Sequence, residues 1–156
     1  MLSCTKIFTF EMAHAIDGYE GACRHIHGHS YQLHVAVCAG HHIGYLPAPG
    51  FAIDFKILKR LVNAAVIELL DHKLVLSKAF LLAHPFTAMQ QNLVVWEVEP
   101  SAENMLHFMQ LAIIKNLPPG VNLVSLRLYE TKDSYAEWFN DDIYNVTKPQ
   151  QVVSKP

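Results

Sequence analysis

The sequence predicts an α+β domain, with an antiparallel sheet and helices packed on one of its faces. Apolar–polar alternation marks strands near both ends of the chain, at residues 5–16 and 30–40 and again at 122–130 and 135–143. Between them lie two capped amphipathic helices, with no strand–helix–strand alternation of regular length. With 156 residues, 51% of them hydrophobic, the chain can bury one good core. We therefore expect a single domain over residues 1–144 and a frayed polar tail over 145–156.

Residues 5–16 alternate and form the first strand. A polar, glycine-containing loop leads to 30–40, where Tyr31, Leu33, Val35 and Val37 line one face and Gln32, His34, Ala36 and Cys38 the other. Gly44, Pro47, Pro49 and Gly50 then carry the strongest turn chemistry in the chain and end the hairpin. Asp54 is positioned to cap a helix reaching about Leu70, because Ile57, Leu58, Leu61, Val62, Ala65, Val66 and Leu69 form one apolar stripe. Ser101 caps a second helix to about Asn116, with Glu103 in its first turn and Lys115 in its last, until Pro118, Pro119 and Gly120 stop it. In the strand that follows, Val124, Leu126, Leu128 and Glu130 share one side, and residues 135–143 pair back on it. The order is ββααββ, with residues 73–99 inserted between the helices. Leu74 to Leu76 and Leu93 to Val98 read as strands there, and a protruding hairpin is expected.

Twelve Lys+Arg against 14 Asp+Glu give a formal charge of −2, without the basic surplus of a nucleic-acid binder. No apolar run approaches the roughly 18 to 20 residues of a membrane span. Cys4, Cys23 and Cys38 are an odd set without paired spacing, which fits a reducing compartment, so a cytoplasmic protein is expected. Of the 10 histidines, His41, His42, His84 and His107 have no partner pattern and are assigned to loops or helix faces.

The chemistry concentrates elsewhere. His14, Cys23 and His27-Gly28-His29 fall within sixteen residues. Imidazoles two apart on an extended chain share a face, so His27 and His29 can grip one ion while Gly28 keeps the space between them clear. His14 supplies a third donor. Three neutral nitrogens suit Zn²⁺ and leave its fourth position open, the catalytic pattern. Cys23 is then either a fourth ligand that closes the site or a thiol held beside the metal. Asp71 and His72 can be read as a helix end, where the dipole favours a histidine. Glu130 stands on an apolar strand face, a costly place for a carboxylate without a partner.

Six blocks of residues, in order, resemble the family of 6-pyruvoyltetrahydropterin and 6-carboxy-5,6,7,8-tetrahydropterin synthases. They are Phe10-Glu11-Met12-Ala13-His14, Cys23-x3-His27-Gly28-His29, Gly50-x3-Asp54-Phe55-x2-Leu58-Lys59, Leu70-Asp71-His72, Pro100-Ser101-Ala102-Glu103-Asn104 and Tyr129-Glu130-Thr131. The gap of three residues after Cys23 is similar to that of the carboxy-tetrahydropterin, queuosine-pathway branch. Two features depart from the family pattern: the long stretch 73–99, where the family has a short link, and Ser101, where threonine is usual.

The resemblance implies the tunnelling fold, with a four-stranded antiparallel sheet backed by two helices. It also implies homotrimers or homohexamers with active sites at subunit interfaces. It implies Zn²⁺ on His14, His27 and His29, and Cys23 as a base off the metal. Asp71 and His72 become a proton relay, and Glu130 anchors the pterin, with Ser101 and Glu103 lining the pocket. The activity implied is a zinc-dependent lyase acting on 7,8-dihydroneopterin triphosphate. Its products are 6-carboxy-5,6,7,8-tetrahydropterin, triphosphate and acetaldehyde. The alternatives are a pyruvoyl synthase that keeps the side chain, and a non-catalytic zinc module closed by Cys23 and used for assembly. A pterin aldolase of the same fold is disfavoured, because its chemistry has no need of the histidine cluster.

Overall fold

In the computed structural model, residues 2–40 and 44–143 are described. The expected tail at 145–156, and His41 and His42, lie outside them. Strands β1 (Cys4–His14) and β2 (His27–Ala39) form a long antiparallel pair. Helix α1 follows as three contiguous pieces: Phe55–Val62, a π-helical stretch Asn63–Ile67 and a final turn Glu68–Leu70. Then come β3 (Lys73–Ser77), α2 (Lys78–Ala83), a 3₁₀ turn Pro85–Met89 and β4 (Leu93–Trp96). Helix α3 (Ala102–Asn116) leads to β5 (Val121–Tyr129) and β6 (Tyr135–Phe139). No helix among the described residues is long and apolar enough to cross a membrane.

The α+β class holds, but the sheet has six strands rather than four, in the order β4-β3-β1-β2-β5-β6. Its antiparallel portion, β1-β2-β5-β6, is the sheet expected from the alternating segments. The insertion is not a hairpin: β3 runs parallel to β1, and β4 parallel to β3. The physical reason is connection length. Fifteen residues separate Ser77 from Leu93, too many for a tight turn and enough for a crossover through a helix. The ββααββ order therefore gives way to ββαβαβαββ, and the sheet is mixed.

One sheet face carries the main core. Phe8, Phe10 and Met12 of β1, Tyr31, Leu33, Val35 and Val37 of β2, and Leu126 and Leu128 of β5 meet Leu58, Val62, Val66 and Leu70 of α1 and Met105, Met109 and Ile113 of α3. The four buried α1 residues are spaced exclusively by four, a spacing that drifts about 40° per step around an ordinary α-helix. The wider π-helical stretch takes back part of that drift and keeps the stripe on the sheet. Asp54 caps α1 through Lys56 N–H and Ser101 caps α3 through Asn104 N–H, as the sequence predicts. Two details differ. A bulge where Ala36 and Val37 face β5 sends Val124 to the opposite face, with Cys38, while Leu123 stays in the main core. The short α2 packs on Leu74 and Leu76, which alternate away from Val75, so the helices are not all on one face.

Candidate functional site

The β1–β2 register builds a three-imidazole cluster that could hold a metal. His14 lies directly across from His27, and His29, two residues along, lies across from Met12 on the same face. One ligand atom from each of His14, His27 and His29 lies within 4.8 Å of the others. His14 Nδ1 donates to the carbonyl of Pro100 at 2.7 Å, and His27 Nδ1 to the carbonyl of His25 at 2.8 Å. Because a carbonyl only accepts, both rings carry their proton on Nδ1 and offer the Nε2 lone pair. His27 Nε2 is buried without a hydrogen-bond partner, an orphan acceptor that a cation would satisfy. Burial, followed by the neighbouring imidazoles, pushes the His14 pKa below the ordinary histidine range, which keeps the ring neutral as a ligand must be. The donor set and its orientation fit Zn²⁺. Gly28 does not clear space between the histidines, because it alternates to the opposite face, where an added Cβ would meet Met12 O at 3.4 Å.

Cys23 is exposed in a 3₁₀ turn, Ala22–Arg24, whose shape is fixed by the bond from Ile16 N–H to the Cys23 carbonyl. It is not part of the three-imidazole cluster. A cavity of about 220 Å³ joins Cys23 to His14, Ser101, Glu103, Glu130 and Tyr135. Glu130, just past β5, finds the partner its position demands: the fully buried Tyr31 donates its phenol proton to Glu130 Oε1 at 3.2 Å. The same phenol oxygen stands 3.4 Å from His14 Nε2, and Glu130 Oε1 stands 3.8 Å from that nitrogen. Burial first, then the Glu130 charge, raises the Tyr31 pKa and keeps the phenol a donor.

Asp71 and His72 are not in this cavity. They follow α1, where Asp71 Oδ1 accepts from Glu11 N–H and from His72 Nδ1, both at 2.9 Å. The Glu11 N–H holds the Asp71 carboxyl below the usual carboxylate range. The His72 side chain is 79% exposed. It borders a second cavity, of about 390 Å³, with Lys73, Asn92 and ladder residues of both parities, Glu11, Ala13, Gly28 and Ser30 on one side and Met12 and His29 on the other. Within one chain, then, His14 of the imidazole cluster, Cys23, Ser101, Glu103 and Glu130 share one cavity, and His72, beside Asp71, borders another that reaches His29.

The family model described as 6-pyruvoyl tetrahydropterin synthase matches residues 3–141. This chain belongs to that family. Relatives named 6-carboxy-5,6,7,8-tetrahydropterin synthase occur in Rickettsia felis, 28% identical over 88% of this chain and 99% of that protein, and in Haemophilus influenzae, with the same identity and coverage. The solved 6-pyruvoyl tetrahydropterin synthase of Caenorhabditis elegans superposes with a TM-score of 0.65 at 15% identity, over 89% of this chain and 95% of that one. Membership of the 6-pyruvoyl tetrahydropterin synthase family makes the chain a lyase of that type.

Sequence reasoning missed three groups that orient this family member's candidate site: the Tyr31 phenol and the carbonyls of His25 and Pro100. Period two carries the His27, His29 face on to Tyr31, so that signal was present. A backbone carbonyl leaves no mark in a sequence.

Proposed function

We propose that the chain acts on 7,8-dihydroneopterin triphosphate, expelling triphosphate and then cleaving the side chain with one water, which supplies the carboxyl oxygen and the aldehyde hydrogen, to release acetaldehyde and leave 6-carboxy-5,6,7,8-tetrahydropterin. The observation that carries this reading is the cavity that sets Cys23 and Glu130 beside the His14, His27, His29 cluster. The names of the relatives and the three residues between Cys23 and His27 favour the carboxy branch, on the queuosine route in the cytoplasm, over the pyruvoyl branch.

Each residue then has a task. The Glu130 carboxylate, fixed by Tyr31, accepts hydrogen bonds from the ring N–H and 2-amino group of the pterin. Cys23, off the metal and open to the cavity, takes a proton from the substrate side chain. Ser101 and Glu103 line the pocket rim while capping α3. A Zn²⁺ held by His14, His27 and His29 would supply Lewis-acid polarisation of a side-chain oxygen, acidifying the adjacent C–H bonds. His72, oriented by Asp71, exchanges protons with the substrate from a neighbouring copy of the chain. Its exposure and its separation from Cys23 support a homotrimer or homohexamer with interfacial sites.

Mass spectrometry of the products from 7,8-dihydroneopterin triphosphate tests the reading. Equal amounts of acetaldehyde and 6-carboxy-5,6,7,8-tetrahydropterin are expected. A pyruvoyl product without acetaldehyde would move the chain to the other branch, and no turnover by the zinc-loaded protein would leave the non-catalytic zinc module.

A further inference from the structure

We propose that Asn92, supplied by the segment between α1 and α3, is a positioning residue that holds the His72 backbone so that its imidazole is aimed for proton exchange. The proposal rests on the reading of His72 as a proton-exchanging group.

His72 is the single non-glycine residue with positive φ among the described residues, at 58°. An L residue persists there only when its surroundings over-determine it. Here they do so from both sides. On one side, His72 N–H donates to the Glu11 carbonyl at 2.6 Å, which ties the residue to β1. On the other, Asn92 grips the chain twice: its Nδ2 donates to the His72 carbonyl at 2.9 Å, and its own carbonyl accepts from Leu74 N–H at 3.0 Å. The two bonds span Lys73 and continue into the β3–β4 ladder, where Leu74 pairs with Leu93. A left-handed residue turns its carbonyl away from the preceding helix, so that oxygen needs a donor from outside α1. The Asn92 amide provides it, and both residues border the same cavity. An aspartate at 92 would set acceptor against acceptor, so the donor is what matters at this position. The parallel strands of the insertion therefore act on the site from outside it, by fixing the peptide from which His72 projects.

The test compares Asn92→Asp, Asn92→Ala and His72→Ala in the full-length, zinc-loaded protein. It reads kcat and KM for 7,8-dihydroneopterin triphosphate, zinc content, and amide exchange at His72. We expect Asn92→Asp to lower kcat by about 3- to 10-fold, the scale of one lost hydrogen bond. KM should stay within about twofold and zinc content unchanged, while the His72 amide exchanges faster by a similar factor. Where Asn92→Asp fails to fold, Asn92→Ala is read in the same way. Wild-type kcat and wild-type exchange in the Asn92 variants, beside an inactive His72→Ala, would overturn the proposal alone. Wild-type turnover by His72→Ala would overturn the underlying reading and the proposal with it.

Discussion

The three imidazoles and the Asp71–His72 corner share the β1–β2 ladder but are held by different means. The imidazoles sit on the face turned to the core, where strand register sets their spacing and two backbone carbonyls set their tautomers. The corner sits at the β1 edge, bonded to the Glu11 backbone where β3 begins to pair, and depends on a left-handed residue, a carboxylate and an asparagine from the insertion. Register is a stiff constraint, because a one-residue slip would send every imidazole to the wrong face. A corner held by a few exposed hydrogen bonds can be retuned. The difference teaches that two clusters on one sheet, one fixed by strand register and one by a corner of side-chain hydrogen bonds, can be separately adjusted.

The largest expected effect tests the stiff half. His27→Ala should lose zinc to background and lower turnover by more than about 10³-fold, read by metal analysis beside kinetics. Stoichiometric zinc in that variant would break the comparison. Next in size, Cys23→Ala should keep zinc and fold while kcat falls about 10²- to 10⁴-fold. Loss of zinc together with folding would instead make Cys23 a ligand. Mixing inactive Cys23→Ala and His72→Ala subunits should restore up to about a quarter of the sites if the two halves meet across a subunit boundary. Homogeneous inactivity after mixing would confine each site to one chain.

A smaller effect concerns the link between metal and carboxylate. Tyr31→Phe removes the donor to Glu130, and kcat/KM should fall about 5- to 20-fold with zinc retained. The smallest is a pH effect. The depressed His14 pKa means that the unfolded chain binds more protons than the folded one, so stability rises with pH across that window. Metal-free protein should therefore lose thermal stability as pH falls from about 7 through about 6.5 and below, and scans at two pH values check the direction.

Much of this arrangement is legible in the amino-acid sequence. Alternation placed β1, β2, β5 and β6, and the capping residues Asp54 and Ser101 placed the starts of α1 and α3. The His27, His29 pair follows from period two alone. The insertion was less readable: Leu74–Leu76 and Leu93–Val98 were recognisable as strands, but their parallel pairing depends on the 15-residue connector rather than on any residue. Asp71 and His72 were visible as residue types, whereas the left-handed backbone of His72, just past the helix C-cap at Asp71, has only a weak local signal beside the tertiary contacts that fix it.

The β1–β2 register also has a consequence for the order of assembly. All three imidazoles come from one antiparallel pair joined through residues 15–26, so their contacts are more local in the chain than those to Pro100 or Glu130. Glu130 and the Pro100 carbonyl arrive only after the rest of the sheet and α3 have closed over them. Local contacts form early and remote ones late. A nascent β1–β2 hairpin would thus already hold the three imidazoles together while most of the Cys23–Glu130 cavity was still unfolded.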